Sequence, residues 1–146
     1  MQRVERAQVD SIVDGVRTRV GSIGPGLTVL LGITHGDTTL TASRMADKIW
    51  NLRIFDDSAG EMNLSLADTH RTALVVSQFT LYGDTDSGRR PSWIRAARPE
   101  IAEPLVEAVV GELRRLGATV ETGRFRTEMK VELVNDGPVT LVVEIE

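Results

Sequence analysis

The sequence predicts a single α+β domain, residues 1–146, in which two helices pack on a mixed β-sheet. Its 146 residues suit one domain with its own hydrophobic core. Hydrophobic residues make up 41% and charged residues 26% of the chain, which is ordinary for a soluble globular protein. Runs of strand-forming residues are interrupted twice by amphipathic helical patterns, and this order favours an α+β fold with a mixed sheet.

Three strands are predicted in the N-terminal part. Residues 4–13 have the pattern of a strand, and Asp14-Gly15 is a hairpin signal that leads to a second strand at residues 16–20. The glycine-rich residues 21–26 predict a turn. They lead into the apolar residues 27–33, which we expect to form a strand covered on both faces.

The first helix is predicted at residues 39–52, with Asp37 or Thr39 as its N-cap. The second is predicted to begin at residue 99 or 103 and to end at residue 116, just before Gly117. Pro104 is then expected in its first turn. The apolar stripes are Ala42, Met45, Ala46, Ile49 and Leu52 in the first helix, and Ile101, Leu105, Ala108, Val109, Leu113 and Leu116 in the second.

The other strands are predicted from shorter patterns. Residues 55–65 are expected to form two short strands around a turn at 58–61, and residues 73–82 one strong strand. Residues 83–98 are rich in Gly, Asp and Arg and are expected to form a loop. Two or three closing strands are predicted at residues 119–124, 128–134 and 139–145.

Composition excludes several kinds of site. The chain has no cysteine, which rules out a disulfide scaffold, a cysteine-ligated metal site and a thiol nucleophile. His35 and His70, the two histidines, are too few for a multi-histidine metal centre and are interpreted as surface residues. The net charge of −4 argues against a bulk polyanion binder, and no apolar run reaches the roughly 18 residues of a membrane span. We expect a cytoplasmic protein without a metal, cofactor, membrane or DNA partner.

Polar residues interrupt the strongest predicted strand at Ser77-Gln78-Phe79-Thr80. If the strand continues to Tyr82, its period of two places Gln78, Thr80 and Tyr82 on one face, as a substrate-facing set would be. An edge strand with one solvent-exposed face explains the same pattern. A second polar segment, Asn135-Asp136-Gly137-Pro138, joins two apolar strands. It favours a plain turn, because only about 5% of X-Pro bonds are cis.

The basic residues form two groups that contain aromatic residues. The first surrounds Trp93 in the predicted loop, and the second flanks Phe125. Arginines interleaved with aromatic side chains suit an RNA backbone and its bases, although a solvated loop explains them equally well. The arginines concerned are Arg89, Arg90, Arg95 and Arg98 in the first group, and Arg124 and Arg126 in the second.

Together these segments resemble the bacterial and eukaryotic D-aminoacyl-tRNA deacylase family, formerly called D-tyrosyl-tRNA deacylase. The resemblance runs nearly end to end. Its two long motifs, residues 76–84 and 133–140, are highly specific when they occur in this order. The shorter matching segments are residues 2–4, 21–26, 51–55, 62–63, 88–92 and 122–125.

The resemblance implies a homodimer with a strongly twisted, barrel-like sheet and active sites at the subunit interface. It implies hydrolysis of the ester that links a D-amino acid to the terminal ribose of tRNA, with aminoacyl-tRNA as partner and no cofactor. Gly137 and Pro138 would form a cis pair that reaches into the partner's pocket. The implied catalytic residues are Ser77, Gln78, Phe79 and Thr80, the implied pocket residues are Met129, Asn135 and Thr140, and the expected tRNA contacts are Arg89, Arg90 and Arg124.

The implied chemistry needs little acid–base power. An aminoacyl ester is already activated, so orientation and stabilisation of an oxyanion can suffice. The resemblance implies that backbone groups near Phe79 carry the catalysis together with the 2′-hydroxyl of the RNA. We interpret Thr80 as a positioning group, because no His or Lys base is visible beside it. A rigid Gly-Pro wedge would exclude every L side chain by steric rejection and would admit glycyl-tRNA.

Three alternatives compete with this interpretation: a non-catalytic RNA-binding module, a relative that clears a different mischarged residue, and a structural dimer. The unbroken motif at residues 77–81 argues against the second alternative. The polar residues in the strongest strand argue against the third. Members of the family usually have several residues before the segment that matches Gln2-Arg3-Val4, and here that segment begins at Gln2. Either the first strand is clipped or the true start lies upstream, and this leaves the anchoring of Arg3 open.

Overall fold

The computed structural model describes residues 1–146 and contains a six-stranded mixed sheet, a separate two-stranded hairpin and three helices. In the large sheet the order is β2-β1-β3-β6-β7, and β8 pairs with β1. β4 and β5 form the hairpin. The strands are β1 (Gln2–Val13), β2 (Val16–Ile23), β3 (Gly26–Leu31), β4 (Phe55–Asp56), β5 (Met62–Leu64), β6 (Thr72–Ser77), β7 (Val120–Thr122) and β8 (Glu128–Thr140).

The two faces of β6 belong to two parts of the core. Ala73 and Val75 pack with the helices, whereas Leu74 and Val76 pack inside the curved sheet. β6 lies between β3 and β7, and both pairings are parallel. A parallel strand buried on both faces is a continuous apolar run, which explains the composition of β3 and β6. The predicted α+β class is confirmed, and so is the doubly covered strand, which runs from Gly26 to Leu31 and not to residue 33.

The sheet curls until its edge strands nearly meet. A methyl group built on Gly21 in β2 would lie 2.8 Å from the carbonyl oxygen of Thr122 in β7. Yet these strands stand at opposite ends of the hydrogen-bonded order. The mixed sheet is therefore a nearly closed, barrel-like structure, and glycine at position 21 leaves room for the approach.

A hairpin joins β1 to β2 at Asp14-Gly15, where both residues have positive φ, as the sequence predicts. An irregularity in the pairing after Val9 brings Asp10 opposite Arg19. Asp10 is buried, and its carboxylate accepts hydrogen bonds from Nε of Arg19 at 2.5 Å and Nε of Arg17 at 2.7 Å. These two hydrogen bonds lower the pKa of Asp10 below its ordinary value.

Three helices are present, one more than predicted: α1 (Thr39–Asn51), α2 (Leu66–Thr69) and α3 (Pro99–Leu116). The additional helix, α2, is a single turn whose N-cap is Ser65. The N-cap of α1 is Thr38, not Asp37 or Thr39, because Thr38 and Thr41 satisfy each other's backbone N–H groups. Asp37 instead accepts a hydrogen bond from the backbone of Thr34 at 2.8 Å. None of the helices is both long and apolar enough to span a membrane.

Helix α3 differs from its prediction near its start. It begins at Pro99, so Pro104 lies inside the helix and not in its first turn. Ile101 was expected in the buried stripe but is 53% exposed, while its neighbour Ala102 is buried. The helix ends as predicted at Gly117, whose φ is 114°.

Two long strand predictions were wrong. β6 ends at Ser77, and Phe79–Tyr82 forms a 3₁₀ turn, so no strand runs to Tyr82. β8 continues unbroken from Glu128 to Thr140, so residues 135–138 form no plain turn and residues 139–145 no separate strand. The predicted turn at residues 21–26 is shorter, because β2 extends to Ile23.

The first strand is fully paired. Gln2 pairs with Thr28 of β3 on one side and with Thr140 of β8 on the other. The Met1 amino group donates a hydrogen bond to the carbonyl oxygen of Leu141 at 2.7 Å, and the amide of Leu141 returns one at 2.9 Å. The N-terminal end of β1 is therefore held by strands on both sides.

Candidate active site

A cleft of about 730 Å³ opens where β6 ends. One wall is the turn that follows Ser77, and the opposite wall is the beginning of β8, including Met129. The first turns of α3 and the loop around Trp93 complete it. The cleft lining is mostly apolar: Leu31, Ile33, Val76, Ser77, Gln78, Phe79, Trp93, Ala96, Ala97, Arg98, Pro99, Ala102, Val106, Phe125, Arg126, Thr127, Glu128, Met129 and Val131.

The turn after β6 brings together the predicted catalytic residues. The backbone N–H of Gln78 donates to the carbonyl oxygen of Leu31 at 2.8 Å, which extends the β3–β6 ladder to the edge of the turn. The side-chain amide of Gln78 donates to the hydroxyl of Thr80. The predicted single strand face does not exist, but the turn still places Gln78 and Thr80 in contact. Ser77, Gln78 and Phe79 line the cleft, whereas Thr80 does not.

Two backbone donors are exposed at the start of this turn. In a 3₁₀ turn the first N–H groups have no partner within the turn, and here they belong to Phe79 and Thr80. Neither group donates to another element of the chain. Both residues are exposed, and the only side-chain partner of the Thr80 hydroxyl is the amide of Gln78. The turn therefore offers free hydrogen-bond donors without a general base.

Trp93 supports the turn from the side. Its indole ring meets the ring of Phe79 edge to face, with ring centroids 5.5 Å apart. It also lies over Gly83, where a methyl group would come within 2.5 Å of the indole. In the sequence Trp93 stands among arginines, which gives no signal of this supporting contact. Ala102, which also lines the cleft, was missed as well; its only signal is a small side chain among larger apolar residues of α3.

The Gly137–Pro138 pair lies at the other end of β8. Met129 and Gly137 are eight residues apart on this strand, which corresponds to about 25 Å. The peptide bond between Gly137 and Pro138 is cis, and both residues are exposed. Asn135 and Thr140 lie on the same stretch, opposite Val4 and Gln2 of β1. Within one chain, none of the residues from 135 to 140 lines the cleft.

Arg3 holds this end of β8 in place. Its side chain is buried and donates to the carbonyl oxygens of Asp136 and Ile54, each at 3.0 Å, and to the carboxylate of Asp56 at 3.2 Å. The anchoring of Arg3, which the sequence left open, is therefore firm. A methyl group on Gly137 would lie 2.9 Å from the guanidinium of Arg3.

The predicted tRNA-binding arginines do not share one surface feature. Arg89 and Arg90 are exposed in the loop of residues 83–98 and do not line the cleft. Arg124 lines a neighbouring hollow of about 360 Å³, which shares Ser77, Val106 and Phe125 with the cleft.

The cleft lining contains few ionisable side chains. The titratable groups of the cleft lining are two arginines and Glu128. Beside the cleft, burial raises the pKa of Tyr82, and the charges of Asp37 and Glu144 raise it further. No group of three His, Asp or Glu side chains is placed to hold a metal ion. What the cleft can offer a ligand is shape, apolar contact, cationic groups and backbone hydrogen bonds.

Residues 1–144 match the family model described as "D-Tyr-tRNA(Tyr) deacylase". Two similar proteins are named D-aminoacyl-tRNA deacylase. The one from Heliobacterium modesticaldum is 56% identical over 99% of this chain and 93% of its own length. The one from Nocardia farcinica is 57% identical over 99% of this chain and 96% of its own length.

Two solved structures have the same fold. One is titled "c-Myc DNA Unwinding Element Binding Protein" and superposes with a TM-score of 0.88 at 38% identity, covering 98% of this chain and 95% of that one. The other is titled "Structural Analysis of a probable eukaryotic D-amino acid tRNA deacylase". Its TM-score is 0.79 at 14% identity, over 94% of this chain and 92% of that one, and this likeness concerns the fold alone.

Proposed function

The chain belongs to the D-Tyr-tRNA(Tyr) deacylase family and is a D-aminoacyl-tRNA deacylase, a hydrolase. From that premise we propose that the cleft at the end of β6 holds the aminoacyl ester and that Ser77, Gln78, Phe79 and Thr80 form its catalytic turn. The observation that carries the proposal is the pair of unpartnered backbone N–H groups at Phe79 and Thr80, beside an apolar cleft. The enzyme would act in the cytoplasm as a chiral proofreading step in translation quality control.

The turn suits ester hydrolysis without a general base. Water attacks the ester carbonyl carbon, and the negative charge that develops on the carbonyl oxygen is stabilised by the N–H groups of Phe79 and Thr80. The bond between this carbon and the ribose oxygen then breaks. The departing ribose oxygen takes up the proton that the attacking water loses, which gives the free amino acid and a ribose hydroxyl. Thr80 is a positioning group in this scheme, because its hydroxyl contacts only Gln78. The 2′-hydroxyl of the RNA is the nearest group of the substrate able to assist proton transfer.

The Gly137–Pro138 pair would act on the cleft of a second copy. It lies about 25 Å along β8 from Met129, so it cannot enter the cleft of its own chain. It is nevertheless exposed and held rigidly through Arg3. A homodimer that brings this pair to the partner's cleft would complete two equivalent active sites. Asn135 and Thr140 would line the partner's pocket together with the Gly137–Pro138 pair. Met129 would line the pocket from the chain that supplies the cleft.

The wedge would select substrates by shape. L- and D-amino acids differ in the direction of the side chain from the α-carbon, so backbone on one side of the pocket excludes every L side chain. Glycine has no side chain to exclude, and glycyl-tRNA would be hydrolysed too.

The tRNA body would be held by exposed cations, with Arg89, Arg90 and Arg124 as the expected contacts. Replacing these three residues by Gln should weaken tRNA binding and reduce the slope of log K against log salt by about 0.7–0.9 for each phosphate that the variant no longer neutralises. Filter binding at several salt concentrations measures this slope. An unchanged slope would exclude these residues as the binding surface.

The first experiment compares deacylation of D-Tyr-tRNA and L-Tyr-tRNA at equal enzyme concentration and without added metal. We expect rapid loss of the D ester and no loss of the L ester. RNA binding without hydrolysis would instead identify a binding module.

A second pair of variants tests the catalytic turn. Phe79→Pro removes the backbone N–H and Phe79→Ala retains it, and both remove the ring. We expect Phe79→Pro to be slower than Phe79→Ala by about 10²-fold in kcat, the usual loss for one oxyanion donor. Equal rates in the two variants would argue against a role for this N–H group.

A further inference from the structure

The arginines of this chain divide into two classes. Most have an ion pair, a hydrogen bond or an aromatic ring as partner; these are Arg3, Arg6, Arg17, Arg19, Arg44, Arg53, Arg71, Arg95, Arg114 and Arg115. The side chains without a partner are those of Arg89, Arg90, Arg98, Arg124 and Arg126. All of the second class follow β6 or β7, in the segments that surround the cleft. A guanidinium group without a protein partner is free to bind an anion.

Two of the unpartnered arginines line the cleft itself. Arg98 immediately precedes α3, and Arg126 lies in the turn between β7 and β8, so the two come from different elements. Arg126 has a φ of 59°, which is unusual for a residue other than glycine and orients this turn. The side chain of Arg98 does not cap the helix. Neither guanidinium group therefore has a structural contact to maintain.

The local charge favours an anion although the whole chain is acidic. The acidic residue of the cleft lining is Glu128, whose carboxylate lies 3.4 Å from Nζ of Lys130. With Glu128 paired, Arg98 and Arg126 are the uncompensated charges of the cleft. The rest of the lining is mostly apolar and includes the aromatic residues Phe125 and Trp93. Flat aromatic surface next to guanidinium groups suits a nucleoside that carries a phosphate.

We propose that Arg98 and Arg126 bind the phosphate on the 5′ side of the terminal nucleoside of the substrate. This inference rests on the proposed function, which places the ester of that nucleoside at the turn after Ser77. The 5′ phosphate is then the anionic group of the substrate nearest to the reacting carbonyl. Arg89 and Arg90 do not line the cleft and cannot make this contact while the ester is in place. The contact would position the ester and lower KM.

The test uses two minimal substrates that differ only in this phosphate: 3′-O-D-tyrosyl-adenosine and its 5′-monophosphate. For the unaltered enzyme we expect KM to be about tenfold lower for the 5′-monophosphate, as one charge-assisted contact provides. The double variant Arg98→Gln, Arg126→Gln should lose this difference, so that its KM is the same for the two substrates. The double variant Arg98→Lys, Arg126→Lys should retain part of the difference, because charge is kept while bidentate geometry is removed.

The control has the same change of charge elsewhere: Arg44→Gln, Lys48→Gln on the exposed face of α1 should keep the tenfold preference. No preference for the phosphate in the unaltered enzyme, or a preference that survives in the Arg98→Gln, Arg126→Gln variant, would overturn the inference. If the unaltered enzyme hydrolyses both substrates with equal KM, the inference is overturned but the proposed function is not. Hydrolysis of neither substrate, nor of D-Tyr-tRNA, would overturn the proposed function and the inference with it.

Discussion

At the residue scale, Gly137 combines two constraints on its side chain. Its φ of 121° is a conformation that L side chains rarely adopt. An added methyl group would also lie 2.9 Å from the guanidinium of Arg3 and 2.9 Å from a methyl group of Val139. Arg3 is buried and donates to three acceptors, so its guanidinium group cannot move away from the added methyl group without losing hydrogen bonds.

We expect Gly137→Ala to displace the Gly137–Pro138 pair and to lower the rate on D-Tyr-tRNA at least tenfold, with part of the discrimination against L-Tyr-tRNA lost. The strain should cost about 1–3 kcal/mol of folding free energy. The matched control is Gly36→Ala, where φ is also positive at 89° but no atom lies within 4 Å of the added methyl group. Gly36→Ala should lose some stability and keep the discrimination. Unchanged discrimination in Gly137→Ala would contradict the wedge.

At the element scale, the sequence predicted helices and strands better than their ends. The hairpin at Asp14-Gly15 and the end of α3 at Gly117 were predictable because each needs a backbone conformation that few residues adopt. The end of β6 was not, because Val76 to Tyr82 is compatible with a strand and only the bond from Gln78 to Leu31 marks where pairing stops.

The sequence also did not predict that β8 is continuous through Gly137-Pro138. Gly-Pro normally interrupts a strand, and here the strand continues because β1 pairs with residues on both sides of it. Of the site, the sequence predicted the turn residues but not which of the arginines enter the cleft. That distinction depends on partners from distant segments, such as the carboxylate of Glu132 in β8, which pairs with Arg6 in β1.

Pro104 lies inside α3, where it cannot donate to the carbonyl oxygen of Glu100. Its side chain is exposed, so its removal costs no packing. We expect Pro104→Ala to stabilise the protein by about 2 kcal/mol, because alanine restores the hydrogen bond and the regular geometry of the helix. The higher conformational entropy of the unfolded variant offsets part of this gain. Urea denaturation measures the change. An unchanged urea midpoint would show that Pro104 does not destabilise α3.

The β1–β2 hairpin should make stability depend on pH. Hydrogen bonds from Arg19 and Arg17 hold the pKa of Asp10 below the ordinary value of 3.8. A carboxyl with a depressed pKa in the folded state stabilises that state above its unfolded pKa, and the contribution is lost as pH falls through the folded value. Asp10→Asn should therefore lower Tm at pH 7, and the gap to the unaltered protein should narrow below pH 3.8. A gap independent of pH would assign the effect to packing.

At the scale of the whole molecule, the cleft and the Gly137–Pro138 pair lie at opposite ends of one strand. β8 is therefore the spacer that separates the two halves of the proposed site. Its pairing with β1 over most of its length makes that spacer rigid. Such a site is complete only between two copies.

Complementation tests this directly. Phe79→Pro damages the cleft and Gly137→Ala damages the wedge, so each protein alone should be nearly inactive. Refolding them together in equal amounts should yield about half heterodimers, each with one intact site, and about a quarter of the unaltered activity. Both the single variants and their unrefolded mixture serve as controls. If the refolded mixture recovers no activity, the cleft and the wedge do not belong to a shared site.

The edge-to-face contact between Trp93 and Phe79 has a practical consequence. The chain contains two tryptophans, and Trp93 is 42% exposed in the cleft, whereas Trp50 packs against the core. With Trp50 replaced by phenylalanine, the intrinsic tryptophan fluorescence of the protein would come from the cleft alone. A ligand that covers the indole would shift its emission to shorter wavelength and protect it from acrylamide quenching. The enzyme thus carries its own optical reporter of occupancy, one that needs no dye and no labelled RNA.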